Sequence, residues 1–295
     1  MMEKVSHNLE EEIRIWQKKL FSLSPRRVLK QKIVSELLGH VSDMHCLEIT
    51  KGDGNASRAL RDLGGSWKSV ALSPDAAFST ALAIGEPIAL LEKEALPFEN
   101  QQFDLVVVWE GLSQMEEDQP FIRECHRVLK DSGWVLISEP RRRPLSFSYF
   151  LRRLLGTLPV AQGAKRNGYT PSELYAILKD GFDVPEVVSK SNGLLASASA
   201  VGDAVQKSMG ILPYWRVRSK TKESDLYLYR KLHALSRLFR PLLYFFTLFE
   251  FLPGHHLFLK SRRRPWRPRT LLKSQDGRSV AEVIANTKVG TAAPF

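Results

Sequence analysis

Residues 96–140 read LPFENQQFDLVVVWEGLSQMEEDQPFIRECHRVLKDSGWVLISEP, and this stretch decides the fold. From Phe103 to Trp109 the chain is almost wholly apolar, the pattern of a strand buried on both faces of a parallel sheet. Asp118-Gln119-Pro120 then signals a helix start, with Asp118 suited to cap it and Pro120 pre-set for the first turn. Phe121, Cys125, Val128 and Leu129 recur at helical spacing and give that helix one buried stripe. Asp131-Ser132-Gly133 breaks it, and residues 134–137 make a second buried strand. The unit is β-α-β.

Upstream, residues 46–55 read CLEITKGDGN: a short apolar strand, a glycine turn, then a helix over 56–63 closed by Gly64-Gly65. Glycines serve where a backbone bends sharply and a ligand approaches it without a Cβ in the way. The phrases LPF-x(4)-FD and R-x-L-K-x-x-G, in this order around the β-α-β unit, resemble a class I S-adenosylmethionine-dependent methyltransferase, specifically the type 11-like domain. The resemblance runs from about residue 41 to residue 189. A Thr-x-x-Glu-Leu helix start at Thr170, followed by Gly181-Phe182 and a strand over 182–189, continues it.

The resemblance implies a Rossmann-like, doubly wound, mostly parallel α/β sheet of about seven strands, with S-adenosyl-L-methionine as cofactor. It also implies a cofactor set: Glu48, Thr50, Gly52 and Gly54 at the turn, Leu72 after the next strand, Glu92 with Lys93 before Leu96-Pro97-Phe98, and Trp109 at the fourth strand's end. Thr50 stands where the family's turn has its first glycine, and Ala71 where an acid usually accepts from the ribose hydroxyls. One missing charge-assisted hydrogen bond weakens binding by about 1.5–3 kcal/mol. Glu110 is the sole candidate for a catalytic carboxylate; Gln114 replaces a histidine common in the family and takes no proton at neutral pH.

The charge is split. Residues up to Pro140 hold 16 Lys+Arg against 22 Asp+Glu; the remainder hold 27 against 10. A basic second half faces an anionic partner. Residues 227–260 are rich in Leu, Phe and Tyr, but the uncharged stretch 241–249 falls far short of the ~20 residues that span a bilayer. The run Arg262-Arg263-Arg264-Pro265-Trp266-Arg267-Pro268-Arg269 follows. An apolar helix beside a basic run reads equally as an anionic-membrane contact over 226–269 or as a helical layer packed on the domain with a solvated basic linker. Nucleic acid is the weaker partner, since no recognition module is present. The expected organisation is N-terminal helices over 1–40, broken at Ser24-Pro25, a methyltransferase-like domain over 41–200, a basic and apolar helical extension over 201–273, and a tail over 274–295.

Cys46 and Cys125 lie in core elements, as free thiols of a reducing compartment do, and no His/Cys cluster has metal spacing. With a polar, acidic start, these features point to the cytoplasm, with a peripheral place at the membrane under the first of the two readings of 226–269. The leading function is methyl transfer to a small, lipid-like or anionic molecule. The rival is a methyltransferase-like scaffold without catalysis, to which Thr50, Ala71 and Gln114 point.

Overall fold

The computed structural model describes residues 2–92, 95–184, 187–190, 193–208, 223–249 and 254–267. Helices α1 (Met2–Ser22) and α2 (Pro25–Leu38) lead into β1 (His45–Thr50), and Pro25 opens α2 directly after Ser24, at the expected break. There follow α3 (Gly54–Arg61), β2 (Ser66–Ala71), α4 (Pro74–Ile84), β3 (Ala89–Leu90), β4 (Phe103–Trp109), α5 (Asp118–Val128) and β5 (Leu129–Pro140). The second half adds α6 (Phe147–Leu154), α7 (Pro171–Leu178), β6 (Phe182–Asp183), β7 (Val188–Lys190), α8 (Gly193–Ser208), α9 (Glu223–Thr247) and β8 (His256–Arg263).

The strands form one sheet in the order β3-β2-β1-β4-β5-β8-β6, with β7 also paired to β8. β1 to β5 are parallel, and β8 runs antiparallel against β5. The chain leaves β1 toward β2 and β3, then returns to lay β4 and β5 on its other side. The ends of β1 and β4 therefore frame the crevice where doubly wound sheets take ligands. One face packs Ile49, Val106, Val108 and Ile137 against Phe121, Ile122 and Cys125 of α5 and Leu174 of α7. The other packs Cys46, Leu105, Val107 and Leu136 against Ile33 and Val34 of α2 and Leu60 of α3.

Local readings shift in three places. Asp118 is the first residue of α5 rather than its cap; its carboxylate instead accepts from Arg166 at 2.6 Å and from the Tyr169 hydroxyl at 3.3 Å. Asp131-Ser132-Gly133 does not separate helix from strand: β5 starts at Leu129, and these residues form an irregularity opposite Asp104. The strand expected over 182–189 is split into β6 and β7, which pair with the two ends of β8 along one edge.

The larger correction concerns the extension expected over 201–273. Its first part is helical as read, and α9 buries Leu226, Tyr229 and Leu232 against Ile13, Leu20 and Phe21 of α1. Its later part returns to the sheet as β8, an interior strand whose Leu257 and Leu259 enter one core face and Phe258 the other. The arginine run is therefore no free linker. Arg263 pairs with Asp131, the Arg264 carbonyl accepts from His126 at 2.8 Å, and Trp266 packs on the His126 ring. Arg269 and the whole tail over 274–295 lie outside the described residues.

β8 being core, Phe258→Ala should cost about 3–5 kcal/mol, whereas the exposed Phe245→Ser on α9 should stay within about 0.5 kcal/mol. Urea denaturation of the two variants measures the contrast.

Candidate active site

β1 ends in Thr50, whose hydroxyl accepts from the Gly52 amide at 3.1 Å and so tightens the turn. Gly52 sits at φ +109°, a backbone state open to glycine at little cost. Glu48 is fully buried beneath this turn: it accepts from Ser57 at 2.6 Å and Ser69 at 3.0 Å and lies 3.5 Å from the Arg61 guanidinium. Burial raises its pKa against those partners. Glu48 thus holds α3 and β2 to β1 from within. Gly54 abuts α4, where a Cβ would stand 2.3 Å from Ala83 Cβ, so its glycine is required by helix packing. Ser79 of α4 donates to the Gly52 carbonyl at 3.0 Å, which draws α4 over the turn.

Other expected cofactor residues disperse. Leu72 lies at the crevice, where its Cδ1 is 3.7 Å from a Cβ built on Gly111. Trp109 turns away into the opposite core face with Ile33 and Val34. Glu92 is exposed beyond β3, with a backbone bridge to Ala95, and Ala71 is fully buried. Lys93 lies outside the described residues.

What the structure does gather is charge. Glu110, just past β4, adopts φ +51°, a left-handed state costing a non-glycine residue about 1–2 kcal/mol. Its carboxylate receives Lys30 from α2 and Lys51 from the glycine turn. Burial opposes ionisation of Glu110, yet the two ammonium groups hold it well below the usual carboxylate range. A carboxylate so held is a poor base at neutral pH. Burial, against the pull of Glu110, brings Lys30 down to about 7. These groups line a cavity of about 250 Å³ together with Ser113 and Gln114, Arg26 and Arg27 of α2, Ser148 and Arg152 of α6, Ser199 of α8 and His255.

Residues 47–137 match the family model described as a methyltransferase domain. This chain carries a class I S-adenosylmethionine-dependent methyltransferase domain. It is 26% identical over 168 residues to the ubiquinone biosynthesis O-methyltransferase of Bordetella avium, covering 54% of this chain and 68% of that protein. It is 28% identical over 177 residues to the ubiquinone/menaquinone biosynthesis C-methyltransferase UbiE of Neisseria meningitidis serogroup B, covering 51% and 71%. An S-adenosylmethionine-dependent methyltransferase from Thermotoga maritima shares its fold at TM-score 0.51 and 14% identity, covering 88% of this chain and 99% of that one. The [4+2]-cyclase SpnF does so at 0.50 and 16%, covering 79% of each. One fold thus serves more than one chemistry, and the reaction must be argued from the site.

The charges of Lys51 and Glu110 at the glycine turn would suit the carboxylate and ammonium of the amino-acid end of S-adenosylmethionine. Leu72 and Gly111 give an apolar border at the crevice. Sequence reading missed Arg26, Arg27 and Lys30, although a helix start at Pro25 puts Arg26 and Lys30 one turn apart on one face. It also missed Glu139, the buried acid near the end of β5 whose carboxylate accepts from the Leu112 amide at 2.7 Å. Its second oxygen has no hydrogen-bond partner among the described residues, and burial with the nearby Glu110 charge raises its pKa to about 8.

Between pH 4.5 and about 8 the folded methyltransferase domain keeps the Glu139 proton that the unfolded chain has released, so stability falls across that window. Glu139→Gln should flatten this decline and raise the melting temperature relative to the parent most at the alkaline end, as thermal melts across the window would show.

Proposed function

We propose that this domain methylates a small amphiphilic acceptor at a membrane surface, taking it into the cavity beside Glu110. The observation that carries this reading is the two-sidedness of the helices around the cavity. α6 gives Ser148 and Arg152 to its lining while Phe147, Phe150 and Leu154 on its other side are 61–72% exposed. α9 gives Ser236 and Leu243 while exposing Leu238, Phe239, Leu242 and Phe245. Large apolar side chains bunched on two helices that pack on α8 and line one cavity mark a contact surface. None of the helices among the described residues is long and apolar enough to cross a membrane, as suits a protein that lies on one. Relatives named for ubiquinone and menaquinone biosynthesis add support for a lipid-like acceptor.

The basic anchor of this surface is not the run at Arg262. β8 runs from His256 at the cavity end of the sheet to Arg263 at the opposite end, roughly 25 Å away for a strand of this length. Arg230, Lys231, Arg237 and Arg240 lie on α9 itself. Flotation of the full chain with vesicles containing anionic lipid should be lost in Phe150→Glu/Phe245→Glu and should weaken with salt, while Arg262→Gln changes nothing. Flotation that survives the double substitution would sink the membrane reading.

S-adenosylmethionine, when bound, supplies an electrophilic methyl group. The protein's task is to hold the acceptor in line and to receive its proton. Glu110 stays ionised and fixes Lys51 at the glycine turn. Lys30, at a pKa of about 7 within the cavity, is the group suited to take the acceptor's proton near neutral pH. A neutral amine is the base, so activity should rise as pH passes through about 7. Site-specific acetylation of Lys30, followed by mass spectrometry across pH, should show a midpoint near 7. A midpoint at the ordinary lysine value of 10.5 would exclude the role.

A further inference from the structure

The wall of the cavity formed by α2, α6 and α8 carries positive charge that its own acids do not balance. Arg26, Arg27, Lys30, Lys51, Arg141 and Arg152 line it, against Glu110 and Asp203. Most of these cations are answered: Arg27 by Asp53, Lys30 and Lys51 by Glu110, Arg152 by Asp203 at 3.1 Å. Arg26 and Arg141 meet only hydroxyls, those of Ser199 at 3.2 Å and Ser189 at 2.8 Å, and form no ion pair among the described residues. Arg152 also donates to Ser199, at 2.6 Å, so a single hydroxyl stands between two guanidinium groups.

Two further atoms on this wall lack hydrogen-bond partners among the described residues. Arg26 Nε is buried without a hydrogen bond, as is the hydroxyl of Thr157, a residue 1% exposed. Enclosed charges are normally paired, and enclosed donors normally satisfied. The same crowding acts on His255, brought down to about 4 by burial and by Arg143, Arg26, Arg152 and Arg141, and on Arg26, brought down to about 10 by burial and Arg152. Like charges converge here, and the two acids near Arg26, Glu110 and Asp203, are already paired with Lys30, Lys51 and Arg152. Planar guanidinium groups beside a hydroxyl donor form the chemistry that recognises an oxyanion in more than one direction.

We propose that this wall is a subsite for a phosphate or carboxylate carried by the methyl acceptor, with Arg26 and Arg141 as its charge partners and Thr157 as a hydroxyl donor. The proposal rests on the cavity being the acceptor site of the methyltransferase. It narrows the substrate class from amphiphile to anionic amphiphile: the charged group enters the cavity, and the apolar part follows the exposed faces of α6 and α9.

Binding of inorganic phosphate and of dihexanoyl phosphatidate below its micelle concentration should be measured by calorimetry on the full chain, with and without saturating S-adenosylmethionine. Both probes should bind in the presence of S-adenosylmethionine, and Arg26→Gln should weaken both at least ~tenfold while S-adenosylmethionine affinity stays within about twofold. Tighter binding of the phosphatidate than of phosphate assigns the oxyanion to a lipid headgroup; equal binding assigns it to a water-soluble phosphate. Thr157→Val and Arg141→Gln carry the same expectation if Arg26→Gln fails to fold. Unchanged probe affinity in the folded variants overturns the subsite. So does displacement of phosphate by S-adenosylmethionine, because the cations would then serve the cofactor's own carboxylate. Failure of the parent chain to bind S-adenosylmethionine, with Arg26-dependent phosphate binding intact, would instead overturn the methyltransferase reading of the cavity.

Discussion

Two ammonium groups from distant parts of the chain meet one buried carboxylate, and the site is organised around that meeting. Lys30 comes from the second N-terminal helix, Lys51 from the glycine turn, and Glu110 from the residue after β4. Removing Glu110 would leave two ammonium groups facing each other in an enclosed place, which is far more costly than the pairing is stabilising. The N-terminal helix is thereby held across the crevice, and with it come Arg26 and Arg27. Glu110 is held in a left-handed backbone conformation at the same point. Strain of that kind persists where the surroundings over-determine it, and two ion pairs do so here.

The crevice has two unlike ends. Toward the glycine turn, α4 has closed in: Ser79 holds the Gly52 carbonyl, and Ala83 fills the space above Gly54. Toward α6 and α8 it opens into the charged cavity. The residues that depart from the family's pattern, Thr50 and Ala71, are both at the closed end and both buried. Thr50 substitutes its own hydroxyl as a brace for the turn, and Ala71 leaves no carboxylate stranded beneath α4. The departures are thus consistent with their surroundings, each side chain matching the packing around it.

The β-α-β stretch over 96–140, the glycine turn and the Ser24-Pro25 break were legible in the chain because each depends on near neighbours. Apolar runs specify buried parallel strands, proline and capping residues specify helix starts, and glycine specifies a sharp turn. The local period also marked α9 as helical. It could not mark which side of α9 is covered, since that depends on α1, some two hundred residues earlier in the chain.

β8 shows the limit most clearly. HLFLKSRR reads as an apolar run sliding into a basic one, and nothing local distinguishes a surface anchor from an interior strand. Only pairing with β5 on one edge and with β6 and β7 on the other makes it core. The same holds for function. Resemblance to a methyltransferase family, carried by contiguous motifs, was enough to imply the fold class and the cofactor. The tertiary structure decided which charges share a cavity: Arg26 and Lys30, Glu110, Arg152 and His255 come from four separate segments, and electrostatic energy depends on distance in space rather than along the chain.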